Sequence, residues 1–209
     1  MITAYYSDPH FGHKSSRTDI CKLANRPFNS VDEMDVELVR RYNERIGMSD
    51  IVLWLGDVFL CHKERAREIV RQMNGIKFLI PGNHDRSVKS MTDLGFALIM
   101  DSASLTIAGR ICRFCHYPYA GVEHNKGEDD RFLEKRPERR KGEILIHGHT
   151  HKNQQVFENM IHIGVDAWDF YPVMHYEIVQ LIQKHFPVEH GNLHPNHIEE
   201  QRTWKEVEG

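Results

Sequence analysis

Between Ile2 and Asp85 short apolar runs alternate with two amphipathic stretches of helical period, and this alternation limits the possible folds more than any other feature. "ITAYYSD" (2–8), "DIVLWLGD" (50–57) and "KFLIPGNHD" (77–85) read as strands, each short and each closed by Asp, Gly or Pro. "SVDEMDVELVRRYNERIG" (30–47) reads as a helix. Ser30 and Glu33 make a capping box, Val31, Met34, Leu38, Tyr42 and Ile46 line one face, and Gly47 stops it. "KERAREIVRQMNG" (63–75) reads as a second helix, with Ala66, Ile69, Val70 and Met73 inward. A β-α-β-α-β order implies parallel strands joined by helical crossovers, hence a layered α/β fold.

The second half has a different texture. "SLTIAG" (104–109), "RICRFCH" (110–116), "EILIHGH" (143–149), "QQVF" (154–157) and "MIHIG" (160–164) are short strands punctuated by glycine, and they predict a second sheet. The polar segment 121–142 reads as a long loop with a helical turn. Periodicity fades after residue 184, so the expected division is a domain over 1–184 and a tail or docked short helix over 185–209. A length of 209 residues suits one domain with a good core.

Charge and composition exclude some classes. A net charge of −3 implies no broad basic face for nucleic acid. The longest apolar runs, such as "IVLWL" (51–55), fall far below a membrane span. The opening "MITAYYSD" reads as a strand and not as a signal peptide, so a cytoplasmic location is expected. Cys112 and Cys115 form a C-x-x-C with no second pair. On a strand those positions face opposite ways, so they read as small core hydrophobes.

The chemistry lies at the strand ends. The first strand stops at Asp8 with His10 two residues on, the second at Asp57, and the third at Asn83 and His84. "RICRFCH" stops at His116, and "EILIHGHTH" runs into His147, His149 and His151. Singly, each has a plain reading as a turn or surface group. Jointly they are five groups of metal-binding type, each after an apolar run, and layered α/β folds gather such loops at one edge. Two-residue spacing alone allows either His147 with His149 or His149 with His151 as a working pair.

The ordered set "SDPH" (7–10), "LGD" (55–57), "PGNHD" (81–85), "FCHYP" (114–118) and "HGHTH" (147–151) resembles the calcineurin-like metallophosphoesterases. The "DPHFGH…NRPF" opening (8–28) is similar to their small, cap-less bacterial and phage members. The resemblance implies an αββα sandwich, the metallo-dependent phosphatase fold, in which two mixed sheets are flanked by helices. It also implies two divalent ions, manganese first, with Fe, Zn, Co, Ni or Mg as other candidates. Carried over by motif, Asp8, His10 and His151 would hold one ion, and Asn83, His116 and His149 the other. Asp57 would bridge them, and His147 would pack, with Gly148 letting the backbone bend tightly. The implied activity is hydrolysis of a phosphodiester or phosphomonoester by in-line attack of a bridging hydroxide. Imidazole, carboxylate and amide donors suit such ions, and two of them against two carboxylates and a hydroxide leave a net positive site for a phosphate.

His84 follows a ligand position directly and is the implied phosphate contact and catalytic acid. Asp85 reads as a supporting group or a turn residue. His13 and Arg26 could meet the substrate phosphate, or be a loop anchor and a surface charge. Lys135, Arg136, Arg139, Arg140 and Lys141 form a basic run that could guide a polyanion or be a solvated loop. Asp166, Trp168 and Asp169 resemble a structural segment of the small subgroup, and His185, His190, His194 and His197 read as surface. "VFLCH" after Gly56-Asp57 departs from the pattern of the protein phosphatases, and no cap insertion is visible. A nucleotide-like small phosphate ester is therefore the expected partner, with no membrane. The alternatives are a nuclease on nucleic-acid ends and a non-catalytic metal-binding scaffold.

Overall fold

The computed structural model describes residues 1–15, 18–121 and 131–187. The chain forms β1 (Ala4–Tyr6), α1 (Ile20–Leu23), α2 (Val31–Arg45), β2 (Ile51–Trp54), α3 (Lys63–Gln72), β3 (Ile76–Leu79), α4 (Val88–Leu94) and β4 (Phe96–Ile99). It continues through β5 (Ala103–Ile107), β6 (Arg110–Phe114), β7 (Glu143–His147), β8 (Val156–Phe157), β9 (Met160–His162), β10 (Val173–Met174) and α5 (His175–His185). The expected helices and strands are present, with strand ends shorter by up to a few residues because the ligand-bearing tips leave the ladder. The short α1, the α4–β4 unit and the β10–α5 return come in addition.

Two five-stranded sheets result, in the orders β10-β1-β2-β3-β4 and β5-β6-β7-β9-β8. In the first, β1 to β4 are parallel and β10 is antiparallel to β1. In the second, β6, β7 and β9 are parallel, with antiparallel strands at both edges. Both sheets are thus mixed, and the fold is the four-layer αββα sandwich. Tyr6 and Trp54 face α2 and α3 in one core, and Val31, Met34, Leu38, Tyr42 and Ile46 of the α2 stripe all lie in it. Tyr5, Leu53, Phe114, Ile146 and Ile161 fill the space between the sheets, closed by Ile178 and Ile182 of α5. On the outer side of the second sheet, Cys115, Tyr117, Tyr119, Leu145 and Met160 make a small cluster with Phe132 packed against it. A single 3-10 turn, Leu133–Lys135, follows in the expected loop.

Local signals work as chemistry predicts, with one change at the α2 start. Glu33 N donates to Ser30 Oγ at 3.1 Å. The return arm of the box goes elsewhere: Glu33 accepts from Asn29 N at 3.1 Å and from Asn29 Nδ2 at 3.0 Å. Cys112 and Cys115 are buried free thiols in different clusters. The tail expectation lies, from residue 188 on, outside the described residues, as do His190, His194 and His197; His185 ends α5. Among the described residues no helix is long and apolar enough to cross a membrane.

The two faces of α2 supply a test of the core. Leu38 is fully buried and Val36 is 68% exposed. Leu38→Ala is expected to cost about 2–5 kcal/mol in urea denaturation. Val36→Ala should stay within about 0.5 kcal/mol. Equal effects would contradict this packing.

Candidate metal centre

The strand tips converge at one end of the sandwich. Parallel pairing brings the ends of β1, β2 and β3 together, and a bridge between Ser7 and Gly164 ties the first sheet to the end of β9. Ser7 Oγ donates to Leu55 O at 2.7 Å, and Val165 N to Ser7 O at 3.1 Å. Two side-chain groups form there. Asp8, His10 and His151 bring one ligand atom each within 4.8 Å of one another, and so do Asp57, His116 and His149. Asp57 Oδ2 stands 3.5 Å from His10 Nε2 and 3.5 Å from His116 Nε2, so it lies between the groups. Asn83 Oδ1 is shielded from water and has no hydrogen-bond partner among the described residues.

Backbone conformation at these positions is unusual. Asp8, His10, Asp57, His149 and His151 all take a positive φ, between 50° and 73°. Non-glycine residues adopt that region at a cost, and they collect where function over-determines the backbone. The carboxylates are held by main-chain donors. Asp57 N and Val58 N donate to Asp85 at 2.8 and 2.9 Å, and Gly82 N donates to Asp85 at 2.8 Å. Asp85 is therefore the brace that ties the β2 tip to the β3 tip, more than a turn residue. His84 N donates to Asp57 Oδ1 at 2.9 Å. His149 N reaches both oxygens of Asp8, at 3.0 and 2.9 Å, and Ser7 Oγ donates to Asp8 Oδ2 at 2.7 Å.

The imidazoles are set by what their other nitrogens meet. His116 Nδ1 is 2.6 Å from Leu55 O, and His151 Nδ1 is 2.8 Å from Asp166 Oδ2. A carbonyl and a carboxylate only accept, so Nδ1 donates in both and Nε2 presents its lone pair. His10 Nε2 is buried with no hydrogen-bond partner among the described residues. Burial pushes the His10 ring down to about 4, despite the neighbouring carboxylates, so it stays neutral near pH 7. Burial opposes charge on His116 too, but the adjacent Asp57 carboxylate outweighs it and raises the ring to about 9. Burial likewise works against ionised Asp57, and the flanking His116 and His10 hold it well below the carboxylate range. A proton and a cation compete for the same lone pairs, so this pull on positive charge also favours a metal.

The donor set fits divalent ions. Among the described residues, Nε2 of His10 and Oδ1 of Asn83 are buried without a hydrogen-bond partner, as lone pairs reserved for a cation would be. Nitrogen and oxygen donors of this kind take Mn, Fe, Co, Ni or Zn, and Mg where oxygen predominates.

The other expected site residues fall as follows. His84 is exposed at the rim, its ring 5.4 Å from His10 and 6.1 Å from His13. His13 is half-buried, with Nδ1 3.2 Å from His10 Nδ1. Arg26 corrects both expectations made for it. Its guanidinium is fully buried against Asp166, so it is neither a surface charge nor available to a phosphate. It donates to Asp8 O at 2.7 Å, Pro9 O at 2.9 Å and both Asp166 oxygens at 2.8 and 2.9 Å. Burial opposes ionised Asp166, yet the His151 hydrogen bond and the Arg26 charge hold it at about 2. Asp166 thereby orients His151, a role its sequence context does not reveal.

The basic run is largely solvent-facing: Lys135, Arg139, Arg140 and Lys141 are exposed, and Arg136 alone turns inward. Arg136 is buried and donates to Pro118 O and Tyr119 O. Arg139 pairs with Glu158 at 2.7 Å, and Arg140 with Glu143 at 3.7 Å. His147 ends β7, hydrogen-bonds Gly148 O at 2.7 Å and stacks on His162 with ring centres 5.3 Å apart. His162, which the sequence presents only as a strand residue, is buried behind Asp8.

Gly148 is required by space and not by a bend. A Cβ there would sit 2.1 Å from Ser7 Oγ and 2.3 Å from Asp8 Oδ2. Gly148→Ala is expected to lower stability by about 1–3 kcal/mol in chemical denaturation, since two hydrogen-bonded groups must shift. An unchanged unfolding midpoint would contradict this contact.

Fold and site define a layered α/β protein with paired carboxylate–histidine clusters where its two sheets meet. The Gene 66 protein of Mycobacterium phage L5 is 30% identical over 189 residues, covering 79% of this chain and 87% of that protein, and the chain belongs to its family. An uncharacterized protein of Methanocaldococcus jannaschii is 40% identical over 82 residues. That stretch spans 38% of this chain and less than half, 44%, of the relative. A solved structure of an Aquifex aeolicus protein of unknown function shares the fold, at TM-score 0.64 and 23% identity, over 86% of this chain and 98% of that one. No family model matches the chain.

Proposed function

We propose that the protein is a metal-dependent phosphoesterase that hydrolyses a phosphodiester or phosphomonoester bond of a nucleotide-like small molecule. Asp8, His10 and His151 would hold one divalent ion, Asn83, His116 and His149 a second, with Asp57 shared. The observation that carries this is Asp57 Oδ2 at 3.5 Å from a histidine of each group. The calcineurin-like pattern of motifs supports the same reading. When bound, a pair of such ions supplies a water of lowered pKa and charge that neutralises phosphoryl oxygens.

The chain's own residues do the rest. Three backbone donations fix the Asp57 tip, Asp57 N and Val58 N to Asp85 and His84 N to Asp57, while Gly82 N holds Asp85 itself. Arg26 and Asp166 hold the His151 ring so that Nε2 faces the cluster. Exposed at the rim, His84 is the group able to contact phosphate and hand a proton to the departing oxygen. His13 stands beside it on the same side. Arg136 is buried, and Arg139 and Arg140 each face a glutamate at the surface, so the basic run gives a nuclease reading less support than a small-molecule one.

A panel of bis(nitrophenyl) phosphate, nitrophenyl phosphate, cyclic nucleotides and single-stranded DNA tests the reading. Manganese-loaded protein should hydrolyse an ester and lose that activity on chelation. His84→Ala should keep its metal and lose roughly 10²–10⁴-fold in kcat/KM on esters with poor leaving groups. The loss on a nitrophenyl ester should be much smaller. Equal losses would remove His84 as the acid, and silence on the whole panel with metal bound would favour a scaffold.

A further inference from the structure

The chemistry above gives His13 no task of its own, yet several elements combine to fix its ring. A turn closes over residues 10–13, with His13 N donating to His10 O at 3.1 Å. Gly12, the third residue of that turn, has φ 67°, a value such a turn reserves for glycine. A Cβ on Gly12 would lie 2.5 Å from Cys61 Cβ, so the turn sits hard against that side chain. Gly12 N donates at 3.0 Å to Asp35, a carboxylate of α2 that is 1% exposed and pairs with Arg65 at 3.3 Å. Phe11 is fully buried and stacks on Phe59, 5.7 Å between ring centres. Clamped in this way, the turn folds the His13 ring back onto His10, with centres 5.2 Å apart and planes 27° from parallel.

The contact that results has a direction. His13 Nδ1 is 3.2 Å from His10 Nδ1. Of two such nitrogens, one carries the hydrogen and the other the lone pair. His10 Nε2 lies 3.5 Å from Asp57 Oδ2, buried and without a hydrogen-bond partner among the described residues, so it is the atom a cation would take. A neutral imidazole that binds through Nε2 carries its hydrogen on Nδ1. His10 Nδ1 therefore donates and His13 Nδ1 accepts, which leaves the His13 hydrogen on Nε2. Leu55 O serves His116 in the same way, and the Asp166 carboxylate serves His151.

We propose that His13 is a positioning residue for the metal ligand His10: its Nδ1 holds His10 in the tautomer and orientation that present Nε2 to the ion. The proposal rests on the metal centre of the phosphoesterase reading, and it turns His13 toward the ion and not toward the substrate phosphate.

Manganese titration calorimetry on wild type, His13→Phe and His13→Asn tests it. Phenylalanine keeps a stacking ring and removes the acceptor, whereas asparagine restores an acceptor oxygen at the δ position. His13→Phe should weaken one of the two ions about 10–100-fold and leave the other nearly unchanged, with the melting temperature of the metal-free protein retained. His13→Asn should recover most of that loss. Nitrogen-15 NMR of zinc-loaded wild type, which needs no variant, should place the His10 hydrogen on Nδ1 and the His13 hydrogen on Nε2. Wild-type affinity for both ions in His13→Phe, an asparagine variant no better than the phenylalanine one, or a hydrogen on His13 Nδ1 overturns the role. Two ions bound normally by His13→Phe with only ester turnover impaired would make His13 a substrate contact instead. If the ester panel is silent while the calorimetry and NMR come out as expected, the phosphoesterase reading fails and the positioning role stands. A wild type that takes up no ion removes the metal centre and this role together.

Discussion

The structure depends on one buried carboxylate. Asp57 is 2% exposed, and its side chain lies between two histidines from opposite groups. A charge removed from water is tolerable only when it is paired and fully hydrogen-bonded. The surrounding loops meet that demand. The β3 tip gives His84 N to Asp57, and Asp85 grips the backbone of Asp57 and Val58. Across the site Asp8 is served in the same way by His149 N and Ser7 Oγ. Five of the seven proposed ligands sit at a positive φ, so the loops hold a conformation that a free chain would leave. The rigid sandwich beneath supplies the compensating stability.

That arrangement explains why the sheets meet here so closely. A Cβ on Gly82 would lie 2.2 Å from Asp57 Oδ1, as one on Gly148 would crowd Asp8. Backbone approaches side chain at both tips, and only glycine leaves the room. A further layer steadies the ligands from behind. Leu55 O fixes His116, while Asp166, itself held by Arg26, fixes His151. Arg26 also clasps the carbonyls of Asp8 and Pro9, so one guanidinium secures a carboxylate loop and, through Asp166, an imidazole from the other sheet.

Much of this was legible in the chain. The apolar stripes of α2 and α3 and the parallel β1, β2 and β3 follow from periodicity, because burial imposes those repeats. The strand-end groups were visible because each interrupts an apolar run, and six of them, Asp8, His10, His151, Asp57, His116 and His149, gather in two clusters. Periodicity could not show α4, β4 and β10, which are too short to carry a clear repeat. Nor could it show the Arg26–Asp166 pair, whose partners lie 140 residues apart with nothing local to link them.

The central claim is that Asp57 is shared by two cations. Metal stoichiometry and affinity, measured on wild type and Asp57→Asn by calorimetry with elemental analysis, test it most directly. The account predicts two ions per chain in the wild type and a marked weakening of both sites in the variant. A wild type that takes up one ion or none, or a variant that binds two with unchanged affinity, would contradict it.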